Sequence, residues 1–240
     1  MRNLHKLYYK DYYAGVDFAA LDSTRSKKAV FRANLDLTAN VAEGDLISAQ
    51  LGPGVSAFDL EVQYPGLITG VGIQHEASVE GEFKLGLHLD YTTGLPVIYG
   101  SSVKGVLRSY FASCYQGNAD VQKLLDDIFE GIRYGSQCNK PIYERDIFYD
   151  AVIVAPNNAG KILASDSLAP HDKSPLKEPN PISFVKIASG VRIQFRFRLT
   201  DTVNSGTVIL SAKEKEQIFK NILTTFGIGA KTNVGYGQLK

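Results

Sequence analysis

Val191-Arg192-Ile193-Gln194-Phe195-Arg196-Phe197-Arg198-Leu199 alternates apolar and polar residues without a break. A period of two is that of a β-strand half-buried in a sheet. Val191, Ile193, Phe195, Phe197 and Leu199 face a core, and the other face presents Arg192, Arg196 and Arg198. Downstream, Ser211 and Glu214 have the spacing of a capping box. Ile218, Phe219, Ile222, Leu223 and Phe226 then form the apolar stripe of a helix. Gly227 ends it and opens Gly227-Ile228-Gly229-Ala230-Lys231-Thr232-Asn233-Val234-Gly235-Tyr236-Gly237. Glycine admits positive φ and close backbone approach, and successive N–H groups in such a loop can line an anion-binding hollow. The plainer reading is a helix C-cap followed by a tight turn.

Upstream the elements alternate. Phe58 to Tyr64 reads as a half-buried strand, interrupted by Pro65-Gly66 and continued from Leu67. Phe83, Leu85, Leu87 and Leu89 alternate in a second strand near 82–90, and Leu95 to Ile98 is a short apolar run. After Gly100, Ser101 and Ser102 offer an N-cap for a helix with Val103, Val106, Leu107, Tyr110 and Phe111 on its apolar face. Lys104 and Arg108 stand four apart on one side of it, so its start is a candidate phosphate site, against the alternative of an ordinary capped helix with a solvated basic edge. Val121 to Phe129 is a further helix stopped by Gly131, and 151–155 and 160–164 are strands. Residues 165–182, with four prolines, read as a long loop. Residues 1–25 are aromatic and charged without period, an irregular arm, and 41–51 are weakly helical. The order implies an α+β domain of ferredoxin-like type over 51–240, preceded by an arm (1–50) packed on it.

Apolar residues make up 44% of the 240 and charged residues 21%, enough for a packed core and against wholesale disorder. The net charge is only +1, so nucleic-acid affinity must come from local clustering. Between Ser183 and Lys240, nine basic residues face three acidic ones, a net of +6. Cys114 and Cys138 form neither a disulfide framework nor a zinc pattern, and with four scattered histidines no metal or cofactor is expected. No apolar leader and no run of transmembrane length stands in the sequence, which implies a cytoplasmic location.

A P-loop is excluded by spacing: the Lys231-Thr232 pair follows a helix, and Gly100-Ser-Ser-Val-Lys-Gly has the wrong interval. A metal-free ribonuclease would need a base and a group to steady the phosphorane, for which His75 and Tyr236 are the candidates. A lone histidine near a strand end is more often structural. Asp166, His171 and Asp172 sit in the proline-rich segment, where polar residues are usually solvated.

Residues 94–108 (Gly-Leu-Pro-Val-Ile-Tyr-Gly-Ser-Ser-Val-Lys-Gly-Val-Leu-Arg) together with the 227–237 loop resemble the RAMP superfamily of CRISPR-associated proteins. More narrowly, Thr69-Gly70-Val71-Gly72 with His75, Asp150-Ala151, Pro170-His171 and Pro181-Ile182-Ser183-Phe184 resemble the sixth subunit of the type III-B (Cmr) effector complex. Tyr99 stands where that family often has proline, and Ala169 where threonine is common. The resemblance implies an RRM-related, ferredoxin-like core with N-terminal and loop elaborations. It also implies a non-catalytic role in antiviral defence, capping the complex near the 3′ end of its CRISPR RNA. Implied partners are the guide RNA, with target RNA as a further candidate, and the backbone, small and other capping subunits. The implied RNA contacts are Gly100, Ser101, Ser102, Lys104, Arg108, Gly227, Gly229, Lys231, Thr232, Gly235, Tyr236 and Gly237, followed by His75, Arg192, Arg196 and Arg198. Tyr236 would stack on a base or ribose. The alternatives are a metal-independent endoribonuclease that processes CRISPR RNA and a scaffold that binds protein alone.

Overall fold

The computed structural model describes residues 3–41, 46, 51–69, 79–168 and 181–240. Its helices are α1 (Leu4–Tyr9), α2 (Thr24–Leu37), α3 (Gly100–Cys114), α4 (Val121–Leu125) and α5 (Ala212–Phe226). Its strands are β1 (Ser56–Glu61), β2 (Lys84–Leu85), β3 (His88–Leu89), β4 (Pro96–Ile98), β5 (Ile147–Phe148), β6 (Ala151–Ala155), β7 (Leu163–Leu168), β8 (Ile182–Ile187), β9 (Arg192–Arg198), β10 (Thr202–Asn204) and β11 (Thr207–Leu210).

The arginine strand β9 lies inside the larger sheet, whose order is β1-β9-β6-β4-β3 with antiparallel neighbours. β5 and β6 are one course bent at Tyr149-Asp150, where the Tyr149 N–H still donates to the Arg196 carbonyl at 3.1 Å. On the far edge of β1, Glu61 and Lys240 exchange backbone hydrogen bonds and the Gln63 N–H reaches the Gln238 carbonyl. The chain's end therefore adds a further course beside β1. A smaller sheet, β2-β8-β7, and the β10-β11 hairpin complete the strands.

The alternation of β9 has the expected consequence. Ile193, Phe195 and Phe197 are buried, with Phe58 stacked on both phenylalanines and Phe219 of α5 tilted against Phe197. Each such aromatic contributes about 1.5–3 kcal/mol by leaving water. Val103, Leu107 and Phe111 of α3 join the same core, and α3 packs on α5. α5 carries the full capping box at Ser211 and Glu214. Val121–Glu130 is helical up to Gly131, its last turn widened to π form.

Three local expectations are corrected. The run near 82–90 is two strands: the Gly86 N–H bonds to the Val185 carbonyl, and the chain leaves one sheet for the other there. Alternation alone cannot show that break. The segment expected to be an irregular arm carries α1, a 3₁₀ turn at Asp11–Tyr13 and the start of α2, with Asn3 and Ser23 capping α1 and α2. Leu4, Tyr8, Tyr12, Val30 and Leu37 share one core with Leu85 and Leu87. α1 has only six residues and the inner stripe of α2 includes Asn34, which hides the period. Finally, 165–168 belong to β7, so Asp166 is a strand residue. The proposed helix at 41–51 falls largely outside the described residues.

The tyrosine arm makes stability depend on alkaline pH. Burial pushes the Tyr8 and Tyr13 phenols far above their ordinary value and, against a hydrogen bond from the Phe83 amide, lifts Tyr12 to about 12. The fold holds the neutral phenol, so this contribution is complete below the ordinary value of 10. It is lost as pH rises through about 12. Tyrosinate absorbance and far-UV circular dichroism are expected to change together across that window. Ionisation of these tyrosines at their ordinary pKa with the helices intact would refute the packing.

Candidate nucleic-acid interface

The glycine loop is laced to the segment after β1. The Ile228 N–H donates to the Gly237 carbonyl (2.9 Å), Ala230 to Ile68 (2.8 Å) and Gly237 to Gly66 (2.8 Å), while the Gly235 and Tyr236 amides bond within the loop. Gly237 (φ +71°) could not carry a side chain, because its Cβ would lie inside contact distance of the Ile228 carbonyl oxygen. Gly229 (φ +98°) meets the Ile68 carbonyl in the same way. The glycines thus serve close backbone approach, and most amides expected to face phosphate already have protein acceptors. What remains is the tip. The N–H groups of Gly229, Lys231 and Thr232 have no acceptor among the described residues. Lys231 is exposed and in left-handed conformation (φ +58°), which costs a non-glycine residue about 1–2 kcal/mol.

Tyr236 does not present its ring to a base. It is only 6% exposed, packs with Ile68 and Phe184, and donates its hydroxyl to Asp166 Oδ2 at 2.7 Å. Lys186 is paired with the same carboxylate and sits over the Tyr236 ring. Burial, then the bond to Asp166, pushes the Tyr236 phenol up to about 12. Burial also works against the Asp166 charge, but hydrogen bonds from Lys186, Tyr236 and the Ser167 amide outweigh it and hold the carboxyl below its usual range. The aromatic that does face solvent here is Tyr64, 85% exposed, on the turn that the glycine loop packs against through Pro65. By alternation alone Tyr64 closes a strand; the Tyr64-Pro65-Gly66 turn signal is the cue to its exposure.

The start of α3 is also partly occupied. Its N-cap is Tyr99, without a side-chain cap, and not a serine. The Gly100 N–H donates to Asp150 Oδ1 at 2.7 Å, and the Gly100 backbone lies against Phe148 and Tyr149. The protein's own carboxylate thus takes the favourable position for an anion at a helix N-terminus. Ser101 and Ser102 are exposed on the first turn, and Lys104 has no ionic partner among the described residues, whereas Arg108 is bonded to Glu130 at 2.9 Å. Nor do the two turns meet. Gly100 is level with Tyr149 and Arg196, the partner of Ala57, whereas the glycine loop is level with Gln63 and Gly66. Six strand residues separate these rows, about 20 Å.

The basic C-terminal part is thinner than its composition. Lys215 is buried against Asp146, Lys186 pairs with Asp166, Lys240 with Glu61, and Arg198 donates to the Tyr143 carbonyl. Arg192, Lys213, Lys220 and Lys231 are exposed without an ionic partner among the described residues. His75, His171 and Asp172 lie outside the described residues.

A family model described as the RAMP superfamily matches residues 59–240. The chain belongs to the RAMP superfamily. The match runs from inside β1 to Lys240, taking in the arginine strand and both glycine motifs and leaving out α1 and α2. Among solved structures, a chain of the cryo-EM structure of the type III-B Cmr-beta complex bound to cognate target RNA is 20% identical, with a TM-score of 0.55 over 78% of this chain and 57% of that one. This RAMP protein thus corresponds to little more than half of that chain. The crystal structure of Cmr6 from Pyrococcus furiosus is 19% identical over 79% of this chain and 99% of that one (TM-score 0.37). A type IV-B CRISPR complex chain is 16% identical over 77% and 89% (TM-score 0.44). No curated protein matches. Among the described residues of the RAMP chain, no helix is long and apolar enough to cross a membrane, and no group of three metal-ligating side chains occurs.

Proposed function

We propose that this chain is a non-catalytic RAMP subunit of a type III-B CRISPR complex that grips guide RNA by its backbone and caps the assembly near the guide's 3′ end. The observation that carries this reading is the tip of the glycine loop. Unclaimed amides at Gly229, Lys231 and Thr232 and the Lys231 cation lie there, on a loop that packs at Gly235 against Pro65, next to exposed Tyr64. Backbone donors and a lysine hold phosphate without reading sequence, and an exposed ring stacks on any base. The fold reading behind it is ferredoxin-like. The order C-terminal segment, β1, β9, β6, with α3 lying between β1 and β6 in the chain and α5 between β9 and the C-terminal segment, supports a split βαβ unit taken twice. Ser101, Ser102 and Lys104 form a second, separate contact point on the same strand of RNA.

The endoribonuclease alternative loses one of its candidate groups. Tyr236, the candidate for steadying a phosphorane, is buried and already donates its hydroxyl to Asp166. Single-stranded RNA binding, measured by fluorescence anisotropy across a salt series, tests the proposal. Lys231→Ala is expected to weaken binding and flatten the slope of log affinity against log salt by about 0.7, the value for one phosphate contact. Tyr64→Ala is expected to weaken binding at every salt concentration with the slope unchanged. Identical affinity and slope in both variants would overturn the assignment of this tip.

A further inference from the structure

A recess opens on the face of the larger sheet opposite α3 and α5. Val152 and Arg196 alternate with the core-facing residues of β6 and β9, so both point away from α3 and α5. With Leu51, Val55, Tyr149 and Asp150 they line a cavity of about 440 Å³. That lies within the size range of small-molecule sites. Its polar groups are incompletely used. Arg196 donates Nε to Gln194 Oε1 at 2.9 Å, and Gln194 is held in turn by Asp59 at 3.0 Å. The guanidinium is thereby fixed, yet its Nη2 is buried and finds no hydrogen-bond partner among the described residues. Asp150 accepts the Gly100 N–H at Oδ1, and its Oδ2 accepts no hydrogen bond among the described residues. A buried donor left without a partner is costly, and such a group calls for an explanation.

We propose that this recess receives one unstacked nucleobase of the bound RNA, with guanine preferred. Apolar walls, an aromatic ring, fixed donors and a free carboxylate oxygen are what an extruded base requires. Guanine matches the polar set because its O6 and N7 accept from an arginine while its N1–H and N2–H₂ donate to a carboxylate. Uracil offers one donor fewer, and cytosine and adenine lack the O6 acceptor. The inference rests on the RNA-binding reading above and deepens it: the backbone grip sets the register, and this recess reads one position of it. The Arg196 pair with Gln194 and the Asp150 bond to Gly100 place the two polar groups on rigid backbone.

The test compares an oligouridine RNA with the same RNA carrying one central guanosine, in equilibrium binding to the wild-type chain, Asp150→Asn and Arg196→Gln. Asp150→Asn keeps an oxygen for the Gly100 amide while turning the free acceptor into a donor. Wild type is expected to favour the guanosine RNA about tenfold. Asp150→Asn is expected to lose that preference while retaining its affinity for oligouridine, and Arg196→Gln to lose it whatever its affinity for oligouridine; both keep the circular dichroism of wild type. Oligouridine bound normally but no guanosine preference in wild type overturns the base pocket and leaves the backbone grip standing. Variants that keep the preference, or that lose only binding to a protein subunit, overturn it as well. Failure of wild type to bind either RNA overturns the RNA-binding reading itself.

Discussion

Lys215→Met is expected to destabilise the chain by about 3–5 kcal/mol, the cost of removing one partner from a buried ion pair. In a chain of this size that lowers the melting temperature by about 10 °C. Lys215 is fully buried, with Nζ 2.6 Å from Asp146 Oδ2 and 2.7 Å from the Thr200 carbonyl. Asp127 lies 3.9 Å away and is itself held by Lys140 (2.7 Å), Thr202 (2.5 Å) and the Tyr134 amide (3.1 Å). Burial pulls the Lys215 ammonium below its ordinary pKa while Asp146 and Asp127 oppose it. Methionine fills similar space but leaves the Asp146 carboxylate unpaired in the core. The double variant Lys215→Met/Asp146→Leu is expected to recover part of the loss, because it removes the stranded charge as well. Thermal melts of the three proteins decide it. A loss under about 1 kcal/mol in the single variant would place the pair in water, where such pairs are worth little.

Gly237→Ala is expected to cost about 3–4 kcal/mol, since it combines a left-handed backbone with a clash against backbone that cannot move aside. Gly235→Ala is the control. It has positive φ but only ordinary contact with Pro65, so about 1–2 kcal/mol is expected. The two variants also separate function from fold. Gly237→Ala breaks the Ile228–Gly237 and Gly237–Gly66 bonds that set the tip, so hydrogen exchange at Ile228 and Ala230 should accelerate and RNA affinity should fall with it. Unchanged protection at Ile228 would mean that those bonds do not hold the loop.

Alternation in β9, the capping box and apolar stripe of α5 and the helix after Gly100 were readable because each is a local pattern tied to one period. The order of those elements was enough for a mixed α/β fold built on antiparallel pairing. The glycine loop was readable as a feature but not as a geometry. Its glycines look like an open nest of amides, yet most of those amides face carbonyls of Gly66, Ile68 and the loop itself. Tyr236 and Tyr64 show the same limit. The tyrosine inside the motif is buried on Asp166, and the one outside it reaches solvent.

Charge was the least legible property. Lys215 belongs to a basic segment and to an amphipathic helix, and neither membership says that it faces Asp146 inward. Asp150 reads as an ordinary polar residue until the bend between β5 and β6 brings its carboxylate to the start of α3. Local spacing thus specified which residues are strand, helix and turn, because backbone geometry repeats every two or 3.6 residues. Which amides, rings and charges stay available to a ligand depended on partners tens of residues away. Such pairings form only when the chain is packed, so no period in the sequence records them.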